Sequence, residues 1–206
     1  MKFPPHPLTS AEARALVAAA GSGWRGARNS ALLVTLWRCG LRAAEACALD
    51  LQDVEPDETV EAGAFRVFIA QPKGANPSKR ADGRRVKAKP PRHLGLDPHG
   101  GAVLVRWIQK RGDAPGPLFP SRTGRRLQTS SLRQLLPMLG RRAGIARRVH
   151  AHALRHTYAR ELYDEGVGVR EIQVLLGHGS LNTTEIYLKS IGADRAIKTT
   201  MRRKWK

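Results

Sequence analysis

Residues 28–40, RNSALLVTLWRCG, constrain this chain more than any other stretch. Wound as a helix, the segment is apolar on almost every side rather than along one stripe. Such a helix has to be enclosed by other elements. Gly40 is positioned to end it. Upstream, LTSAEARALVAAA (8–20) places Thr9 as N-cap with Glu12 three residues later, a capping box followed by an apolar face. Gly21 and Gly23 are expected to stop that helix. Downstream, LRAAEACALD predicts one or two more helical turns.

The pattern then changes. QDVEPDETVEAGAFRVFIA (52–70) mixes β-branched and aromatic residues with turn formers and predicts strand. QPKGANPSKRADGRR is polar, basic and punctuated by Gly and Pro, as in a long hairpin loop. RVKAKPPRHLGL (85–96) is the candidate returning strand. Asp97-Pro98 supplies a cap and a proline at the first helical position, for a helix to about Lys110. Residues 114–127 predict loop. Thr129 or Ser130 is the expected cap of a further helix, with a kink at Pro137. From His150 the pattern is helical again, in short pieces broken at Gly166, Gly177 and Gly192, and it ends in a basic amphipathic helix or tail. The expected fold class is therefore mainly α with a small antiparallel sheet or hairpin near residues 51–96. Trp24, Trp37 and Trp107 are expected to pack between elements, and Trp205 in the tail is a candidate docking anchor.

Charge narrows the function. Thirty-six Lys and Arg face 17 acids, a net charge of +19. Self-repulsion on that scale points to a polyanionic partner, nucleic acid first, with strong salt dependence. A coding bias toward arginine would explain the choice of Arg, but not the shortage of acids. Cys39 and Cys47, if both helical, stand roughly 12 Å apart along an axis at about 1.5 Å per residue, too far for a disulfide. No Cys-His zinc spacing, signal peptide or membrane span is legible, and a cytoplasmic location is expected.

HAHALRHTYA (150–159) sets His152 and Arg155 three apart on one helical face, with His156 four from His152. His178 follows in LGHG, and Tyr187 nine residues after it. Far upstream, Arg42 comes just after Gly40, with Glu45 three residues on. Two guanidinium forks can grip the non-bridging oxygens of one phosphate. Beside them a tyrosine oxyanion forms more easily than at its usual pKa of about 10. A histidine can take or return that proton, and a lysine can protonate the leaving oxygen. Together these groups describe transesterification of a phosphodiester through a phosphotyrosine, needing neither metal, cofactor nor ATP. A metal cluster of His150, His152 and His156 is the competing reading, without HExxH or a carboxylate partner to support it.

GLRxxE at 40–45, HxLRHT at 152–157, LGH at 176–178 and Tyr187 resemble the catalytic motifs of the tyrosine recombinases, the phage integrase family. The resemblance covers about residues 8–190 and implies that family's catalytic fold. It implies that Tyr187 attacks the scissile phosphate and keeps the 3′ phosphate, that Arg42 and Arg155 stabilise the transition state, that His152 is the general base and acid, and that His178 supports the phosphate. Glu45 matches the acidic residue that helps hold the active-site arginine, and His156 is a supporting residue. The family also uses a hairpin lysine. Lys87 is preferred, with Arg92 five residues after it in a fitting place; Lys73, after a good strand, is the alternative.

The expected organisation is a lead-in at 1–7, a catalytic domain at 8–190 and a basic segment at 191–206 that could dock on a neighbouring protomer. The helical domain that precedes the catalytic domain in most of the family is not legible here, as in a short natural member or a catalytic half. The resemblance implies double-stranded DNA as partner, a tetrameric synapse on DNA, a monomer or weak oligomer off it, and possible accessory DNA-bending proteins, with no membrane. A type IB topoisomerase-like relaxation activity and a non-cleaving DNA-binding regulator are the alternatives to a site-specific recombinase.

Overall fold

The computed structural model describes residues 7–70 and 91–177. Lys73, Lys87, His178, Tyr187, Gly192, Trp205, the lead-in up to residue 6 and the basic segment 191–206 lie outside them.

The elements run α1 (Ser10–Ala18), α2 (Gly23–Arg38), α3 (Ala43–Ala48), a 3-10 turn (Leu51–Asp53), β1 (Val54–Pro56), β2 (Phe65–Ile69), β3 (Arg92–Leu96), α4 (Pro98–Arg111), α5 (Thr129–Arg142), α6 (Ala151–Asp164) and α7 (Val169–Leu176). The mainly helical expectation holds, with one three-stranded antiparallel sheet ordered β1-β2-β3.

The all-round apolar helix takes the centre. Along α2, every residue from Ala31 to Trp37 is buried, and α1, α3, α4 and α6 all pack on it. It begins earlier than its apolar run suggests. Gly23 opens α2 instead of closing α1, and Gly21, at φ +83°, makes the turn between them. Gly40 closes α2 at φ +60°, and a Cβ there would lie 2.2 Å from the Tyr158 ring. Both the left-handed backbone and the close approach require glycine.

In the sheet, Val67 pairs with Val54 on one side and Leu94 on the other. Period-2 alternation sends Phe65, Val67, Ile69, Leu94 and Leu96 into the core. Arg92 pairs with Ile69 and shares the phase of Leu94 and Leu96, so its side chain also heads inward.

Three sequence details are corrected or sharpened. Gln128, not Thr129 or Ser130, is the N-cap of α5, and Thr129 is its first residue. That helix continues through Pro137, whose missing N–H leaves the carbonyl one turn back without its usual donor. Asp97 caps α4 as expected, accepting from the Gly100 amide at 3.2 Å. Cys39 and Cys47 are both free and buried, and burial pushes their thiols up to about 12 and about 11. Trp107 is fully enclosed and meets Trp24 edge-on at 5.0 Å, while Trp37 donates its indole N–H to Glu161 at 2.8 Å.

Candidate active site

The site is assembled at the C-terminal end of α7. A helix leaves its last carbonyls without intrahelical donors, and they form the negative end of its dipole. Here three consecutive carbonyls are answered by three arginines from three different elements. Arg92, at the start of β3, donates Nε to Leu175 O at 2.9 Å. Arg155, on α6, donates Nη2 to Leu176 O. Arg42, at the N-cap of α3, donates Nη2 to Gly177 O at 3.3 Å.

One carboxylate joins the three arginines. Glu45 accepts from the Arg42 amide at 2.9 Å and from Arg42 Nη1 at 2.7 Å. It accepts from Arg92 Nη2 at 2.9 Å, and Arg155 Nη1 lies 3.7 Å away. Burial pushes the Glu45 carboxyl up, but the Arg92 hydrogen bond, the Arg42 amide and both charges hold it below the usual carboxylate range. Among the described residues, three guanidinium groups against one carboxylate leave two positive charges uncompensated, which suits an anion.

The two motif arginines are not equivalent. Arg42 keeps about a quarter of its side chain open to solvent. Arg155 is 3% exposed, and also donates Nη1 to Gly40 O at 2.7 Å. Burial, then the charge of Arg42, lower its pKa, with Glu45 opposing. It stays protonated, because an arginine begins above 12. Two of its five N–H groups serve backbone carbonyls, so it forms the floor of the site.

His152 stands exposed at the rim. Loss of solvent around the ring, then Arg155, His150 and Arg42, lower its pKa, which keeps it neutral and able to accept a proton near pH 7. His156 meets it edge-on at 5.9 Å. Burial, then His152, push His156 down to about 4. His150 is the N-cap of α6, its Nδ1 accepting the Ala153 amide at 3.1 Å. Among the described residues no group of three or more His, Cys, Asp and Glu could hold a metal ion. Tyr158 is buried against Gly40, and burial raises its phenol well above its usual range, which suits packing and not nucleophilic attack.

Arg42, Glu45, His152 and Arg155 are thus brought together from positions up to 113 apart in the chain. The chemistry they support is capture of a phosphate oxyanion beside a neutral base. Arg92 was missing from the expected catalytic set. The sequence had marked it only for its fitting place five residues after Lys87; a second signal was phase, an arginine at a core-facing position of an alternating strand.

The phage integrase family model matches residues 6–192. This chain belongs to the phage integrase family. Tyrosine recombinase XerC of Chromohalobacter salexigens is 32% identical over 166 residues, covering 79% of this chain and 48% of that protein. Tyrosine recombinase XerD of Mycobacterium tuberculosis is 36% identical over 163 residues, covering 78% and 47%. The chain therefore spans about half the length of these relatives. Among solved structures, XerA recombinase superposes with a TM-score of 0.74 at 28% identity, over 99% of this chain and 66% of that one. XerH recombinase bound to a palindromic difH substrate, in a post-cleavage complex, gives 0.72 at 24% identity over 96% and 53%. The fold is that of tyrosine recombinase catalytic domains.

Proposed function

We propose that residues 8–190 are the catalytic unit of a site-specific DNA recombinase that cleaves and rejoins duplex DNA through a 3′-phosphotyrosine. The observation that carries this reading is the convergence of Arg42 and Arg155 on Glu45, at the helix end that leads directly into His178. The phosphate's non-bridging oxygens meet Arg42 and the remaining N–H groups of Arg155. His152 accepts the phenolic proton of Tyr187 as its oxygen attacks phosphorus. The 5′ oxygen leaves with a proton from Lys87 or, as the alternative, Lys73. His178 holds the phosphate. Attack of the freed 5′ hydroxyl on the phosphotyrosine reverses the step and reseals the strand, since the ester conserves the bond energy. The arginine cluster stabilises the five-coordinate oxyanion, the largest contribution such a site makes.

The partner is double-stranded DNA, with a tetramer on the synapse, the basic segment 191–206 docking between protomers and accessory bending proteins assisting. XerH captured on difH DNA, before and after cleavage, supports this reading by likeness of fold.

Covalent trapping tests it. The chain is incubated with pooled duplex fragments containing nicks, denatured in detergent, and attached DNA is recovered beside a Tyr187→Phe control. Tyrosine-dependent adducts are expected, and their DNA identifies the site. Salt-sensitive binding without adducts would favour a regulator. Adducts with supercoil relaxation but no strand exchange would favour a topoisomerase.

A further inference from the structure

Arg92 does more than fill a core-facing strand position. It is the first residue of β3, where the chain returns from the segment that holds both candidate lysines. Its side chain is 11% exposed, and its fork serves two partners on two elements: Nε to Leu175 O and Nη2 to Glu45, each at 2.9 Å. Gly177 lies directly against the guanidinium. A Cβ at that position would sit 3.1–3.3 Å from Arg92 Nη1, Cζ and Nε, and its backbone is left-handed at φ +60°. Glycine there both permits the left-handed turn at the end of α7 and leaves room for the fork.

We propose that Arg92 is a positioning residue for strand cleavage. It ties the start of β3 to the C-terminal end of α7, and shares Glu45 with Arg42 and Arg155. The proposal rests on the recombinase reading above. Arg92 contacts no reacting atom in this role; it sets the relative placement of groups that do. A lysine cannot replace it, because one ammonium point charge lacks the rigid fork that reaches both partners.

The test uses the full chain as wild type, Arg92→Lys, Arg92→Ala and, for comparison, Leu94→Ala, which weakens the same strand's packing without touching the network. Amide hydrogen exchange is followed in peptides spanning 172–178 and in α2. Single-turnover adduct formation and duplex affinity are measured on the DNA recovered from wild-type trapping. Both Arg92 variants are expected to exchange faster at 172–178 with α2 unchanged. They should form adduct about a hundredfold more slowly, the scale of a catalytic group displaced by an ångström, at unchanged duplex affinity. Added guanidinium ion should restore part of the rate of Arg92→Ala. Leu94→Ala should lose thermal stability but keep its rate. The proposal is overturned if Arg92→Lys cleaves like wild type, if exchange at 172–178 does not change, or if Leu94→Ala slows in the same proportion. A wild type that forms no adduct on any duplex removes the recombinase reading and this proposal with it. A cleaving wild type beside an equally fast Arg92 variant removes this proposal alone.

Discussion

Glu45 holds three guanidinium groups with one carboxylate, so its removal leaves several charges facing each other at once. Glu45→Gln keeps the shape and removes the charge. Breaking a largely buried ion pair costs about 3 kcal/mol or more, and urea unfolding should show that loss with the slope unchanged. Because the folded carboxyl sits below its usual range, its contribution is complete above about pH 4.5 and is lost as pH falls through the lower folded value. His156 works in a different window. Its folded pKa is about 4, well under the unfolded one. The unfolded chain therefore binds more protons between about pH 6.5 and 4, and stability falls as pH drops through that range. Thermal melts at pH 7.5 and 5 should diverge more in wild type than in His156→Gln. Gly40→Ala combines a left-handed backbone with a clash against Tyr158. It should reduce the folded fraction severely, read as loss of soluble protein and of near-ultraviolet dichroism. Arg42, Glu45, His152 and Arg155 were all legible as residue types at motif spacing. That Arg155 is the floor and Arg42 the open edge was not, because exposure depends on which carbonyls lie nearby.

At the level of elements, the helices that carry strong local signals began where their caps are. Thr9 with Glu12, and Asp97 with Pro98, marked their helices correctly. Asp97 also pairs with Arg38 at 2.7 Å. Asp97→Asn keeps the cap and drops the charge, so it should cost less than about 1 kcal/mol. Asp97→Ala loses the cap as well and should cost about 1–2 kcal/mol, both read from thermal unfolding. The start of α2 at Gly23 was missed, because glycine is a poor helix former and signals a stop locally. Packing of Trp24 on Trp107 extends the helix backward past that signal. The arginine surplus also has a structural share. Besides the three arginines that close the end of α7, Arg126 donates to Cys47 O and Leu49 O, each at 3.2 Å at the end of α3, and pairs with Asp50 at 2.6 Å. Part of the positive charge thus satisfies helix carbonyls rather than an outside partner.

For the whole molecule the net charge of +19 still leaves a large excess of positive charge, which the proposed DNA partner would neutralise. A footprint neutralising six or more phosphates would lose about a thousandfold in affinity between 50 and 200 mM salt, and a fluorescence titration across that range should show it. Shallow salt dependence would mean that few of these charges face the duplex. The sequence alone determined the mainly helical class, the enclosed central helix, the family and which residue types stand at motif spacing. Periodicity, caps and motif spacing are local properties, written in consecutive residues. Only the tertiary structure decided that Glu45 joins three arginines, that those arginines close the end of α7, and that Arg92 belongs with them. A hydrogen bond between residues 47 or 135 positions apart leaves no mark on the sequence around either partner. It exists only because packing around α2 brings α3, β3, α6 and α7 to one place.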